Sequence, residues 1–117
     1  MKVVTATHAA LTEFYGLDPA ITCQAFMAVE DGKVYGVCGI HTIDTGIVLF
    51  AKLTDELRHY PKLILKQGRE LVKVALKKNL PLYAKADCEI EASVRYLERL
   101  GFKRMYGEVF TWQQQQR

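Results

Sequence analysis

The stretch "AFMAVEDGKVYGVCGI", residues 25–40, constrains the fold more than any other. Asp-Gly is the pair that a tight two-residue hairpin turn favours, because both central positions need positive φ. Here Asp31-Gly32 stands between two runs rich in β-branched and aromatic residues, which fit a pleated, half-buried surface. Thr45-Gly46 marks a second turn, ahead of "IVLFAKLT". Residues 21–54 therefore read as three antiparallel strands in a meander.

The flanking segments supply helices and more strands. "KVVTA", residues 2–6, reads as a first strand, followed by a short helix with Thr7 as N-cap and Gly16 as stop. Leu11, Phe14 and Tyr15 share one face of that helix. Residues 55–79 are helical. Pro61 suits a first helical turn, so the residues before it form a separate turn or short helix. At about 100° per residue, Ile64, Gly68, Leu71 and Ala75 share one face, and Lys62, Lys66, Arg69, Lys73 and Lys77 share the opposite one. Gly68 costs about 1 kcal/mol against Ala in a helix interior. Its place on the apolar face predicts a close approach to the sheet. Asn79 and Pro81 end this helix.

"LYAKAD", residues 82–87, alternates as a strand does. Asp87 can cap the next helix, with Glu89 and Glu91 in its first turn and Ile90, Val94 and Leu97 as its apolar stripe. "KRMYGEVFTW" supplies one or two last strands, and residues 113–117, "QQQQR", form a polar tail. The fold class is α/β (α+β): a mixed, mainly antiparallel sheet flanked by helices, in a single domain over residues 1–112. The 117 residues suit one core.

Composition excludes several function classes. No apolar run approaches bilayer length, so no membrane insertion is expected. Thr and His interrupt the apolar part of "MKVVTATHAALTEF", which makes a poor secretory signal, and a cytoplasmic setting is expected. Cys23, Cys38 and Cys88 are far apart and odd in number, without a CxxC pair or a His at zinc-finger spacing. Free thiols are expected rather than a metal site or disulfide framework. The net charge of +3 permits an anionic partner without demanding one.

The segment "YLERLGF", residues 96–102, has a complete local explanation. Gly101 takes the left-handed position after the helix, and Phe102 packs back on Leu97 in a Schellman arrangement. Its context adds more. A meander, a long helix, a strand, a short helix ending in "LGF" and a last strand together resemble the GNAT family of N-acyltransferases, over residues 21–112. The resemblance implies that acetyl-CoA lies in a V-shaped gap between the fourth and fifth strands, here residues 47–53 and 82–87. Phe50, Ala51, Lys52 and Leu53 would line it, and a strand N–H would polarise the thioester carbonyl for attack by an amine. The pyrophosphate would sit at the start of the long helix, near Arg58, Lys62 and Lys66.

The chain also departs from the family's pattern. A Gly-rich pyrophosphate loop usually precedes the long helix; here "LTDELRHYPKLIL" has no glycine, and Asp55 and Glu56 stand where phosphates would lie. Ile90 replaces a common Asn. The general-acid Tyr position holds Leu97, with Tyr96 one residue earlier. A one-residue shift turns a helical side chain by about 100°, so Tyr96 is expected to point away from the cleft. It is still the candidate acid nearest the motif. No Glu lies on the fourth strand. "RYLERLG" is also similar to "RFLKTIG" of small GNAT-like virion proteins from short-tailed bacteriophages, which implies protein partners in a phage particle and a virion location.

His41, near the end of the third strand, is a candidate base or an ordinary strand-end His. Cys88 lies among Asp87, Glu89 and Glu91, which oppose a thiolate. The five-residue basic stripe is a solvated helix face, a contact for CoA phosphates, or a dock for nucleic acid. No aromatics are interleaved with it, which counts against single-stranded nucleic acid.

Overall fold

The computed structural model describes residues 1–16, 23–85 and 91–112. Lys2–Thr5 form β1. Thr7 caps α1 (His8–Ala10), its Oγ1 accepting the Ala10 N–H at 3.1 Å. The chain widens into one π turn, Leu11–Tyr15, and stops at Gly16 with φ 82°. The meander follows as β2 (Cys23–Glu30), β3 (Lys33–Ile43) and β4 (Gly46–Leu53). Its first turn has Asp31 at φ 51° and Gly32 at φ 76°, the double positive φ that selects Asp-Gly.

A 3₁₀ turn at Leu57–His59 leads into α2 (Pro61–Leu76), with Pro61 in its first turn. Gly68, Leu71, Val72 and Ala75 are buried, while Lys62, Lys66, Arg69, Lys73 and Lys77 are exposed. Then come β5 (Leu82–Lys85), α3 (Glu91–Leu100), β6 (Phe102–Tyr106) and β7 (Val109–Trp112). The expected Asp87 cap, Cys88, Glu89, Ile90, the last two residues of the "LYAKAD" strand and the 113–117 tail lie outside the described residues.

Seven strands make one mixed sheet in the order β1-β2-β3-β4-β5-β7-β6. β4 and β5 pair parallel, and the other described pairs are antiparallel. Helices α2 and α3 cover one face over Ile40, Leu49, Leu71, Leu97, Phe102 and Phe110. The α1 segment covers part of the other face, where Leu11 packs with Ala25, Val37 and Phe50. Alternation along the strands makes the two cores: Cys38 and Ile40 face the first, Val37 the second.

One local expectation is corrected. Gly68 makes room for α3, not for the sheet: a Cβ there would strike the Tyr96 hydroxyl and lie 3.0 and 3.1 Å from the Leu100 methyls. The end of α3 carries part of the expected Schellman pattern: Gly101 takes positive φ, 111°, its N–H donates to the Glu98 carbonyl at 3.1 Å, and Leu97 and Phe102 share one core cluster. The Trp112 indole N–H donates to the Leu100 carbonyl at 3.3 Å, so β7 satisfies a further carbonyl at the helix end.

Candidate functional site

β4 and β5 run together for three residue pairs: Ile47↔Leu82, Val48↔Tyr83 and Leu49↔Ala84. The Ile47 N–H donates to the Pro81 carbonyl at 2.8 Å, which fixes the direction in which β4 amides point. Strand N–H groups alternate sides, so those of Ala51 and Leu53 also turn toward β5. Pairing with β5 has ended by then, although β4 stays paired with β3 as far as Leu53. Ala51 is exposed, and it carries the first amide on that edge without a strand partner among the described residues.

A cavity of about 430 Å³ fills the opening. Ala51 and Leu53 of β4, Ile64 and Leu65 of α2, and Ala92 and Tyr96 of α3 give it apolar walls. Lys52, Arg58, Lys85, Arg95 and Arg99 line it too, and no carboxylate does so among the described residues. The structure thus brings Phe50, Ala51, Lys52, Leu53 and Arg58, all expected at the site, together with the candidate acid Tyr96. Lys62 and Lys66 are exposed on α2 and are not part of the lining.

Tyr96 corrects the expectation that its register turns it away. It lines the cavity, half-buried, and its hydroxyl donates to the Ile64 carbonyl at 3.1 Å. Leu97 and Tyr96 both pack on the first core and both line the cavity, so the covered arc of α3 is wide enough to take the two neighbours. Burial, and then the Cys38 thiol nearby, raises the Tyr96 pKa above its ordinary value. The phenol keeps its proton and ties α3 to α2. Burial pushes the Cys38 thiol up to about 12, so it is a poor nucleophile.

His41 does not line the cavity. Its ring lies 5.7 Å from that of Phe50, which in turn meets Tyr15 at 4.8 Å, and partial burial lowers the imidazole pKa. Lys52 sends its ammonium to the Phe14 carbonyl at 3.0 Å, toward the N-terminal segment.

The turn before α2 is closed on itself. Thr54 Oγ1 donates to the Tyr35 carbonyl at 2.7 Å and accepts from the Leu57 N–H at 3.4 Å. The amides of Arg58, His59 and Tyr60 each donate to a carbonyl three residues back. No residue from 54 to 60 has positive φ, and Arg58 pairs with Asp55 at 3.0 Å. Residue-by-residue reading missed Lys85, Arg95 and Arg99. The signal was present on α3, where Ala92, Arg95, Tyr96 and Arg99 follow the i, i+3, i+4, i+7 spacing of one helix face.

No helix among the described residues is long and apolar enough to cross a membrane. No family model matches the chain, and no curated protein does either. Solved structures do. An IAA acetyltransferase from Bacillus cereus is similar with TM-score 0.63 at 15% identity, covering 90% of this chain and 78% of that one. A protein described as a GnaT-family acetyltransferase, from Bordetella pertussis, is similar with TM-score 0.54 at 14% identity, covering 89% of this chain and 68% of that one. These likenesses show the GNAT acetyltransferase fold.

Proposed function

We propose that the chain binds an acyl-CoA in the β4–β5 opening and transfers the acyl group to an amine. The observation that carries this reading is the edge of β4 from Ala51 onward, unpaired among the described residues and facing an apolar cavity with cations at its rim. An extended, amide-rich arm can add to such an edge as a strand does. The residues fit an acyl-CoA at this edge and in the apolar walls. The turn at residues 54–60 fits poorly as a phosphate cradle, because the amides of Thr54, Leu57, Arg58, His59 and Tyr60 are already used and Asp55 and Glu56 bring carboxylates.

Bound there, acetyl-CoA would supply the thioester carbonyl that an amine attacks. The Ala51 N–H can donate to that oxygen as negative charge grows on it. Tyr96 can offer its proton to the leaving sulfur only by releasing the Ile64 carbonyl. The acceptor amine loses its proton to water, since no carboxylate lines the cavity among the described residues.

Calorimetric titration of acetyl-CoA and CoA tests the reading, and micromolar binding is expected. Ala51→Pro deletes the outward amide without touching a β3–β4 bond. It is expected to lower transfer to an amine by about 10²- to 10³-fold, with acetyl-CoA binding retained. No heat and no thermal shift with the wild-type protein would overturn it.

A second reading keeps the GNAT fold for its shape, in a non-catalytic structural component such as a phage virion protein. The closed 54–60 turn favours it. Its mark would be self-association or co-purification with particle proteins, without turnover. The transferase reading places the protein in the cytoplasm, and the second places it in a virion.

A further inference from the structure

The cations around the cavity are not equivalent. On the α2 side, Arg58 is paired with Asp55 at 3.0 Å, and Glu56 adds a second carboxylate beside it. The amides of Arg58, His59 and Tyr60 are spent on the 3₁₀ turn, and Pro61 has none to give. Lys52 is turned to the Phe14 carbonyl and stands 5.4 Å over the Phe14 ring. An anion approaching the start of α2 meets the carboxylates of Asp55 and Glu56 as well as the cations of Arg58 and Lys62.

The opposite wall is the richer in cations among the described residues. Arg95 and Arg99 lie one turn apart on the face of α3 that lines the cavity, so their stems are neighbours. Lys85, the last residue of β5, joins them in the lining. Glu91 pairs with Arg95 at 3.3 Å. Lys85 and Arg99 have no carboxylate partner among the described residues. Two guanidinium forks and an ammonium match the oxygens of a phosphate ester in a way that carboxylate-rich turns cannot.

We infer that the phosphate-bearing end of the acyl-CoA is held by Arg95, Arg99 and Lys85 on the α3 side of the opening, in place of a cradle at the start of α2. This rests on the acyl-CoA reading above. It moves the anion contacts from backbone amides to side chains, so affinity for the phosphates depends steeply on salt and on single charges.

The test titrates CoA, 3′-dephospho-CoA and pantetheine into the wild-type protein and two double variants, at low and moderate salt. Arg95→Gln/Arg99→Gln changes exposed side chains, and its circular dichroism and thermal midpoint are checked first. It is expected to weaken CoA by about tenfold or more and to flatten the salt dependence, with pantetheine unchanged. Lys62→Gln/Lys66→Gln is expected to weaken CoA the less of the two. A loss on going from CoA to 3′-dephospho-CoA, abolished in the α3 variant, would place the 3′-phosphate there; a loss only on going to pantetheine would place the pyrophosphate. If the α2 pair weakens CoA more than the α3 pair, or if CoA binds wild-type protein no better than pantetheine, the inference falls and the acyl-CoA reading stands. If wild-type protein binds none of the three, both fall.

Discussion

Gly68→Ala sets helix propensity against packing, and the two predict opposite signs. Ala in place of Gly inside a helix stabilises by about 1 kcal/mol. At residue 68 the added methyl would run into the Tyr96 hydroxyl and lie within 3.0–3.1 Å of the Leu100 methyls. Overpacking of this kind costs about 1–3 kcal/mol. Displacing the phenol also breaks its hydrogen bond to the Ile64 carbonyl, a further loss of about 1 kcal/mol. The balance is a net destabilisation of about 1–3 kcal/mol. For a domain of this size that lowers Tm by roughly 4–12 °C. Urea unfolding followed by circular dichroism measures it directly. Tyr96→Phe alone should cost about 1 kcal/mol, the lost bond to Ile64. In the Gly68→Ala background the same change removes the clashing oxygen, so the double-mutant cycle should show a coupling of about 1 kcal/mol or more. A Gly68→Ala variant that is more stable than wild type, with no coupling to Tyr96, would refute the claim that this glycine exists to seat α3 on α2.

Two further predictions come from the titrating groups. Cys38, with its thiol pushed up to about 12, should resist alkylation at pH 8 in folded protein and react once urea unfolds it, as read by peptide mass mapping. Burial lowers the His41 pKa in the folded state, so the unfolded chain takes up the proton first as pH falls. Its contribution is therefore present above the unfolded value of about 6.5 and is lost as pH drops through and below it. His41→Gln should flatten that part of the pH–stability curve between pH 5 and pH 7.5, and an unchanged slope would show that the ring is not desolvated.

Much of the sheet was legible because its signals are local. Asp31-Gly32 specifies a turn by backbone sterics, and Pro61 marks a helix start because its missing N–H is not needed there. The opening between β4 and β5 was reached by resemblance alone. Whether two distant strands pair parallel, and where they part after Leu49 and Ala84, depends on how α2 packs between them. Tyr96 was misread for a related reason. Counting 100° from Leu97 assumes a narrow covered stripe, whereas the covered arc of α3 takes in both Leu97 and Tyr96. Arg95 and Arg99 look like ordinary solvated charges until the face they share with Ala92 and Tyr96 is seen to border a cavity. The closed turn at residues 54–60 was half legible: the missing glycines were plain, but the spending of its amides on a 3₁₀ turn was not.

The strand order carries a consequence for synthesis. β5 lies between β4 and β7, so its second neighbour is the last of the described strands to leave the ribosome. Phe110, on β7, is the most deeply buried side chain, with 0% of its surface exposed, and Trp112 closes the end of α3. The meander can pair as it emerges, because its contacts are local. The helical face of the core cannot close until residue 112 is clear of the exit tunnel. A nascent chain whose β7 is still in the tunnel would present Leu71, Leu82 and Ala84 to whatever chaperone waits there.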